Sequence, residues 1–285
     1  MNQGRIGRIP PSFASASLPR ATQYARRVMA VEWVGRTEST NAELVRRERV
    51  AAQPHLHALA TLDQTHGRGR LGRTWTAPPG SAVALSVVIR PGSIPPDRLG
   101  LLTLLAGLAA RDAVASLLPT RDVSVKWPND VLIDGRKVAG VLAEVEPSTG
   151  AVILGVGVNT AMTPAQLPVP TATSIAIESD AESDATTEPR ALAERVVTAF
   201  LARLTGLVDR FEAAGGDLDA ARIREELEAA CGTLGERVAV EQPGGVTTTG
   251  LALGIGPDGA LIVRMDGSDG STAILAGDVT HLRYQ

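Results

Sequence analysis

The sequence predicts an α+β fold: a mixed β-sheet flanked by helices, followed by a small all-β domain. Three observations carry that reading. Between residues 31 and 160, apolar extended runs alternate with helical patterns, and several strands follow one another through hairpin signals instead of helices, which argues against strict βαβ winding. After residue 231 the chain changes to short strands separated by glycine-rich turns. The 285 residues are 44% hydrophobic and 21% charged, a globular composition long enough for one large domain and one small one.

Taken in order, residues 1–30 hold Arg5, Arg8, Arg20, Arg26 and Arg27, no acidic residue and no long apolar run. This reads as a disordered tail or an early start site, too short for a folded helix-turn-helix, although an acid-free Arg/Ser-rich start also mimics a transit peptide. Ser39-Thr40-Asn41 supplies N-cap residues to the amphipathic run AELVRRERVAA. LHALATLDQ reads as a buried strand, HGRGRLGRTWTAPPGS as a punctuated loop, and AVALSVVIRP as a strand. RLGLLTLLAGLAARDAVASLL is a long helix buried on most sides. DVSVKWPNDVLIDGRKVAGVLAEVE reads as strand, turn, hairpin and strand, turning at Asp134-Gly135, and AVILGVGVNT is a further strand. Residues 178–190 are an acidic surface loop, and 190–214 and 217–230 read as two amphipathic helices. RVAVEQ, TTTGLALGIG, ALIVRMD, STAILAG and VTHLRY then build a small barrel or sandwich. The expected division is a tail over 1–30, a large α+β domain over 31–231 and a β-domain over 232–285.

Composition excludes several function classes. A net charge of −3 argues against nucleic-acid binding driven by bulk charge. No run approaches 18 apolar residues, so no membrane span is expected. One cysteine, Cys231, cannot build a disulfide framework or a cysteine zinc site, and it suits the cytoplasm.

The basic residues are skewed: of 28, two are lysine, Lys126 and Lys137, and the other 26 are arginine. Lysines retained against such a background mark places where a compact ammonium is needed in preference to a planar guanidinium, or they are residual chance. Gly67-Arg68-Gly69-Arg70-Leu71-Gly72 matches G-x-G-x-x-G, but the prolines that follow forbid the helix a dinucleotide fingerprint needs. Its glycines and arginines instead suit an anion-binding loop, the alternative being a solvated basic loop. Gly254-Ile255-Gly256-Pro257-Asp258-Gly259 lies between short strands and reads as a hairpin turn. In Val125-Lys126-Trp127-Pro128-Asn129-Asp130, Lys126 is placed to neutralise a transferring group and Asp130 to hold a metal, the alternative being a capped structural turn. A hairpin that folds back brings Lys126 and Lys137 to one pocket. Asn159 ends an apolar strand, where it reads a base or caps a turn.

Glu38-Ser39-Thr40-Asn41, Gly67-Arg68-Gly69-Arg70-Leu71-Gly72-Arg73-Thr74-Trp75, Lys126-Trp127-Pro128-Asn129-Asp130, Lys137-Val138-Ala139-Gly140 and Gly155-Val156-Gly157-Val158-Asn159 occur in an order that resembles the biotin–protein ligases, from about residue 32 to the end. The resemblance implies a class II aminoacyl-tRNA synthetase/biotin ligase-like catalytic domain with a C-terminal SH3-like barrel. With no module in its short N-terminal stretch, the chain looks like the monofunctional form, so DNA binding is not expected. The implied chemistry is activation of biotin by MgATP to biotinyl-5′-AMP, then transfer to a lysine in the biotin-carrier domain of an acetyl-CoA or acyl-CoA carboxylase. Lys126, Lys137 and Arg70 are the implied catalytic residues. Ser39, Thr40, Asn41 and Gln64 would serve biotin with Arg68, Gly69, Arg70 and Lys126. Arg68, Gly69, Arg70, Arg73, Trp75 and Asn159 would hold the adenylate, with Trp75 near adenine and Asn159 at its edge; Asp130 would partner magnesium. A lipoate–protein ligase, or a non-catalytic biotin-sensing regulator, are the competing readings.

Overall fold

The computed structural model describes residues 31–179, 188–268 and 270–282. The tail expected over 1–30 and most of the acidic stretch 178–190 lie outside the described residues. In chain order come β1 (Val31–Trp33), helix α1 (Thr40–Val50), β2 (Ala58–Thr61), β3 (Gly67–Arg68), β4 (Thr74–Trp75), β5 (Val83–Ile89), α2 (Leu101–Leu117), β6 (Val123–Lys126), β7 (Asp130–Ile133), β8 (Arg136–Val145) and β9 (Val152–Val158). Helices α3 (Ile175–Glu178), α4 (Pro189–Ala213) and α5 (Arg224–Ala230) follow, then strands β10 (Arg237–Glu241), β11 (Thr247–Ile255), β12 (Leu261–Met265), β13 (Ser271–Ile274) and β14 (Asp278–His281).

Seven strands form one sheet in the order β1-β2-β5-β9-β8-β7-β6. The β1–β2 pair is parallel and the other neighbours are antiparallel, so the sheet is mixed as expected. Asp134 and Gly135 both take positive φ in the tight turn between β7 and β8, the backbone twist that hairpins favour.

Strand alternation decides which face does what. Val83, Leu85, Val87 and Ile89 of β5 join Val152, Leu154, Val156 and Val158 of β9 on one face, where α2 and α4 pack to make the main core. The segment Pro96–Leu117, which includes helix α2, is long and apolar enough to cross a membrane, with mean hydropathy 1.4 over its best window, but most of the helix, from Leu101 to Val114, is buried in this core. On the other face Leu59, Val88 and Ile153 pack beneath Leu44 of α1. Helix α1 covers only that end. Across the rest of the face, register aligns Lys126, Asp130, Gly140, Gly157, Ala84 and Thr61 in one row. Leu142, Gly155, Ser86 and Leu59 form the row beside it. Glycines and an alanine in the middle of these rows leave a trough.

Two expectations need correction. The second helix expected over 217–230 is confined to Arg224–Ala230. The Asp217 carboxylate accepts from the backbone N–H of Asp219 and Ala220, and Arg222 has a φ of 55°, so 217–223 are turns; the side chain outcompetes the helix for those donors. The stretch 67–75, expected as a loop, is a small hairpin in which β3 pairs with β4 around a 3-10 turn.

The C-terminal strands form a five-stranded antiparallel sheet, order β13-β12-β11-β10-β14. The glycine-rich stretch 254–259 turns β11 into β12, as the sequence indicated. Trp127 ties the two sheets together: its indole N–H donates to the Gly259 carbonyl (3.0 Å) and its backbone N–H to the Thr233 hydroxyl (3.0 Å).

Candidate functional site

The trough is roofed into a cavity of about 150 Å³. Its floor is the β8–β9–β5 face. One wall is the N-terminus of α1, and the roof is the 67–75 hairpin. The structure brings Ser39, Thr40, Asn41, Gln64, Arg68, Gly69, Arg70, Arg73, Trp75, Asp130 and Lys137 to its lining, with Asp278 arriving from the C-terminal sheet.

The α1 wall is a polar chain. Ser39 is the N-cap, its hydroxyl accepting from the Ala42 N–H. Asn41 is 4% exposed; its Nδ2 donates to Glu144 Oε2 (2.8 Å), which turns Oδ1 toward Ser86, whose hydroxyl donates to it at 2.6 Å. The Ser86 oxygen is 2.7 Å from Thr40 Oγ1, and the Thr40 backbone N–H donates to Gln64 Oε1 at 2.9 Å. The floor must stay bare beneath this chain: a Cβ on Gly155 would collide with the Asn41 amide, and one on Gly157 would come 2.8 Å from the Trp75 ring.

The opposite side is cationic. Arg70 donates to Asn129 Oδ1 (2.7 Å), with the Gly277 carbonyl 3.5 Å from Nη2, and Arg73 ion-pairs with Asp278. Lys137 Nζ is 2.7 Å from Asp130 Oδ1. Arg68 is more open, with Glu144 3.8 Å away. Burial pulls the Arg70 guanidinium below its ordinary value, Asp130 opposing and Arg73 adding to the effect. Burial likewise lowers the Lys126 ammonium; Asp130 opposes this, while Lys137 and Arg73 push further down. Crowded, desolvated cations of this kind are relieved by an anionic ligand.

Two expected residues sit elsewhere. Lys126 does not line this cavity but the adjoining cleft between the two sheets, which shares Arg73, Asn129, Asp130 and Asp278 with it. Register explains this, because Lys126 lies one strand beyond Asp130 in the same row. Asn159 is buried outside the lining, and its Nδ2 donates to the Thr173 carbonyl (2.9 Å). Ser86, Glu144 and Asp278 escaped the sequence reading, and Asn129, singled out only as part of its motif, turns out to accept from Arg70. Ser86 left a trace as the lone hydroxyl in an apolar strand; Asp278 left none. Among the described residues no three His, Cys, Asp or Glu side chains group as a metal site.

Residues 33–159 match the model of the biotin/lipoate A/B protein ligase family, and 233–282 match the biotin protein ligase C-terminal domain. The chain is 37% identical to a biotin–[acetyl-CoA-carboxylase] ligase of Mycobacterium tuberculosis, covering 88% of each chain. It is 33% identical to one of Paracoccus denitrificans, covering 86% of this chain and 98% of that one. Its fold superposes on the Aquifex aeolicus biotin protein ligase solved with biotin and ATP, with a TM-score of 0.70 at 25% identity over 89% and 99% of the two chains. Similarity of that extent, over the regions that form both sheets, makes the chain a member of the biotin/lipoate A/B protein ligase family.

Proposed function

We propose that the trough binds biotin and ATP side by side and joins them as biotinyl-5′-AMP, which then acylates a lysine of a carboxylase's biotin-carrier domain. The biotin carboxylate oxygen attacks the α-phosphorus and pyrophosphate leaves. The acceptor amine then attacks the acyl carbon, and AMP leaves as the amide forms. The observation that carries this reading is the division of one cavity into a neutral hydrogen-bonding end and a cationic end.

The neutral end suits the ureido ring, which presents one acceptor flanked by two N–H donors. Gln64 Oε1 is occupied by the Thr40 N–H, which leaves the Gln64 amide nitrogen as a donor. Ser86 gives its proton to Asn41 and the Thr40 hydroxyl donates to Gln64 Oε1 at 3.3 Å, so the Thr40 oxygen keeps a lone pair for a ligand N–H. Ser39 keeps a free O–H because its oxygen serves as the cap acceptor.

The cationic end suits the reacting groups. Carboxylate and triphosphate repel, and preorganised positive charge in a desolvated site lowers the barrier to their meeting. Lys137 and Arg70 face the junction, Lys126 and Arg73 the path of the departing pyrophosphate, and Arg68 and Gly69 close over the adenylate. Removing one such contact costs on the order of 10²–10³-fold in rate. Trp75, packed against Gly157, is the aromatic surface on which adenine stacks. Asn159, its amide nitrogen committed to Thr173, offers Oδ1 to the exocyclic amine. Magnesium would arrive with ATP and neutralise its phosphate charge, and Asp130 would be the carboxylate to hold it beside the phosphates. Closure of the 67–75 hairpin keeps water from the mixed anhydride. The chain divides functionally into 31–231, which does the chemistry, and 232–285, which contributes Asp278 and the walls of the cleft. One buried thiol, Cys231, fits a cytoplasmic setting.

The test is incubation with labelled biotin, MgATP and a biotin-carrier domain, with lipoate in a parallel reaction. Label on the carrier with biotin is the expected outcome; label only with lipoate, or pyrophosphate release independent of biotin, overturns the assignment.

A further inference from the structure

Glu178 is a carboxylate buried at the C-terminal end of α3, its side chain 2% exposed. None of the roles above uses it. It accepts from the Thr173 hydroxyl and ion-pairs with Arg136, and Arg121 Nη1 lies 3.9 Å from Oε2. Arg121 also donates from Nε to the Glu178 carbonyl (3.0 Å). Three chain segments, the α2–β6 turn, the start of β8 and the 171–178 stretch, therefore converge on one buried carboxylate. A buried charge persists only where such partners compensate it.

What this point holds is the backbone beside two site residues. Lys137 N–H donates to the Thr171 carbonyl and Thr173 N–H to the Lys137 carbonyl, each at 2.8 Å. Asn159 Nδ2 donates to the Thr173 carbonyl, and Ile175 N–H to the Asn159 carbonyl at 3.0 Å. Next along the chain, the Ser174 hydroxyl donates to the Met162 carbonyl (2.7 Å), closing the stem of the intervening loop. Thr173 thus links Glu178 on its side-chain oxygen to Lys137 and Asn159 through its backbone.

We propose that Glu178 is a positioning residue for the nucleotide half of the site, acting through Thr173 to hold Asn159 and the Lys137 backbone in register. This rests on the ligase reading above. The α1 wall, with Thr40, Asn41, Gln64 and Ser86, shares none of these bonds, so recognition of the ureido ring, which carries most of the biotin contacts, is independent of Glu178. A misplacement of about 1 Å in a positioned group costs up to 10²-fold.

The test compares Glu178→Gln, Thr173→Val and Thr173→Ser with the wild type, reading biotin affinity by calorimetry and the KM for ATP by biotin-dependent pyrophosphate release. Glu178→Gln and Thr173→Val are expected to raise the ATP KM about tenfold or more, with biotin affinity within about twofold of wild type. Thr173→Ser, which keeps the hydroxyl, restores the wild-type KM. Biotin affinity doubles as the report on folding. An ATP KM unchanged in both variants, or biotin and ATP affinities falling together, overturns the positioning role while leaving the ligase reading intact. A wild-type protein that releases no pyrophosphate with biotin overturns the ligase reading and this inference with it.

Discussion

Adding one methyl group to the floor of the trough should weaken biotin binding without touching any charged residue. Gly155 pairs with Ser86 across β5 and β9. A Cβ there would overlap the Asn41 amide, coming 2.9 Å from Cγ and 3.1 Å from Nδ2. Asn41 cannot slide freely, because Glu144 holds one end and Ser86 the other. Relief requires breaking at least the Ser86 bond inside a buried network, which costs about 1–3 kcal/mol for the polar groups left unpaired. At about 1.4 kcal/mol per decade, biotin should bind roughly 5- to 150-fold more weakly to Gly155→Ala. The unfolding midpoint should drop by about 2–4 °C per kcal/mol lost. Calorimetric titration with biotin and a thermal melt measure the two effects. Gly206→Ala is the control, since a Cβ there meets nothing within 4 Å; it should leave biotin affinity alone and stabilise α4 by about 0.5–1 kcal/mol. Gly155→Ala with wild-type biotin affinity would refute the claim that this polar chain is the biotin end of the cavity.

Four further outcomes are expected. Lys126→Arg and Lys137→Arg keep charge but change its shape, so adenylate formation should collapse in at least one while the melting curve persists; near-normal pyrophosphate release in both would show that any cation suffices. Because burial lowers the Lys126 ammonium, kcat/KM for ATP should decline with rising pH before the ordinary lysine range is reached, as that charge is lost. The limb in kcat should lie higher, since bound phosphate favours the charged form; a kcat/KM profile flat to the ordinary lysine range would contradict this. Arg68 and Leu71 of the hairpin are exposed, Leu71 at 68%, so trypsin cleavage at Arg68 or Arg70 should slow when biotin and ATP are both present, and equal rates would argue against closure. Trp127→Phe strips the hydrogen bond from the Gly259 carbonyl and should cost about 1–3 kcal/mol in a denaturant melt, an unchanged midpoint being the contrary result.

Much of this was legible along the chain because it is local. Continuous apolar, β-branched runs marked β5 and β9, the Asp134-Gly135 pair marked its hairpin, and Ser39 marked the start of α1, since run composition, turn torsion and capping each depend on a few neighbouring residues. The resemblance to the biotin–protein ligases rested on five such local motifs in order. What no local rule supplies is register between strands. Pairing sets Lys126, Asp130, Gly140 and Gly157 in one row, which separates the two lysines into adjoining compartments instead of one pocket. It also places Ser86 beneath Asn41. Asp278 reaches Arg73 only because the second sheet docks through Trp127. Side-chain type and periodicity are written residue by residue, whereas which residues face one another across a trough depends on hydrogen-bonded ladders joining segments far apart in the chain, and only the folded structure decides those.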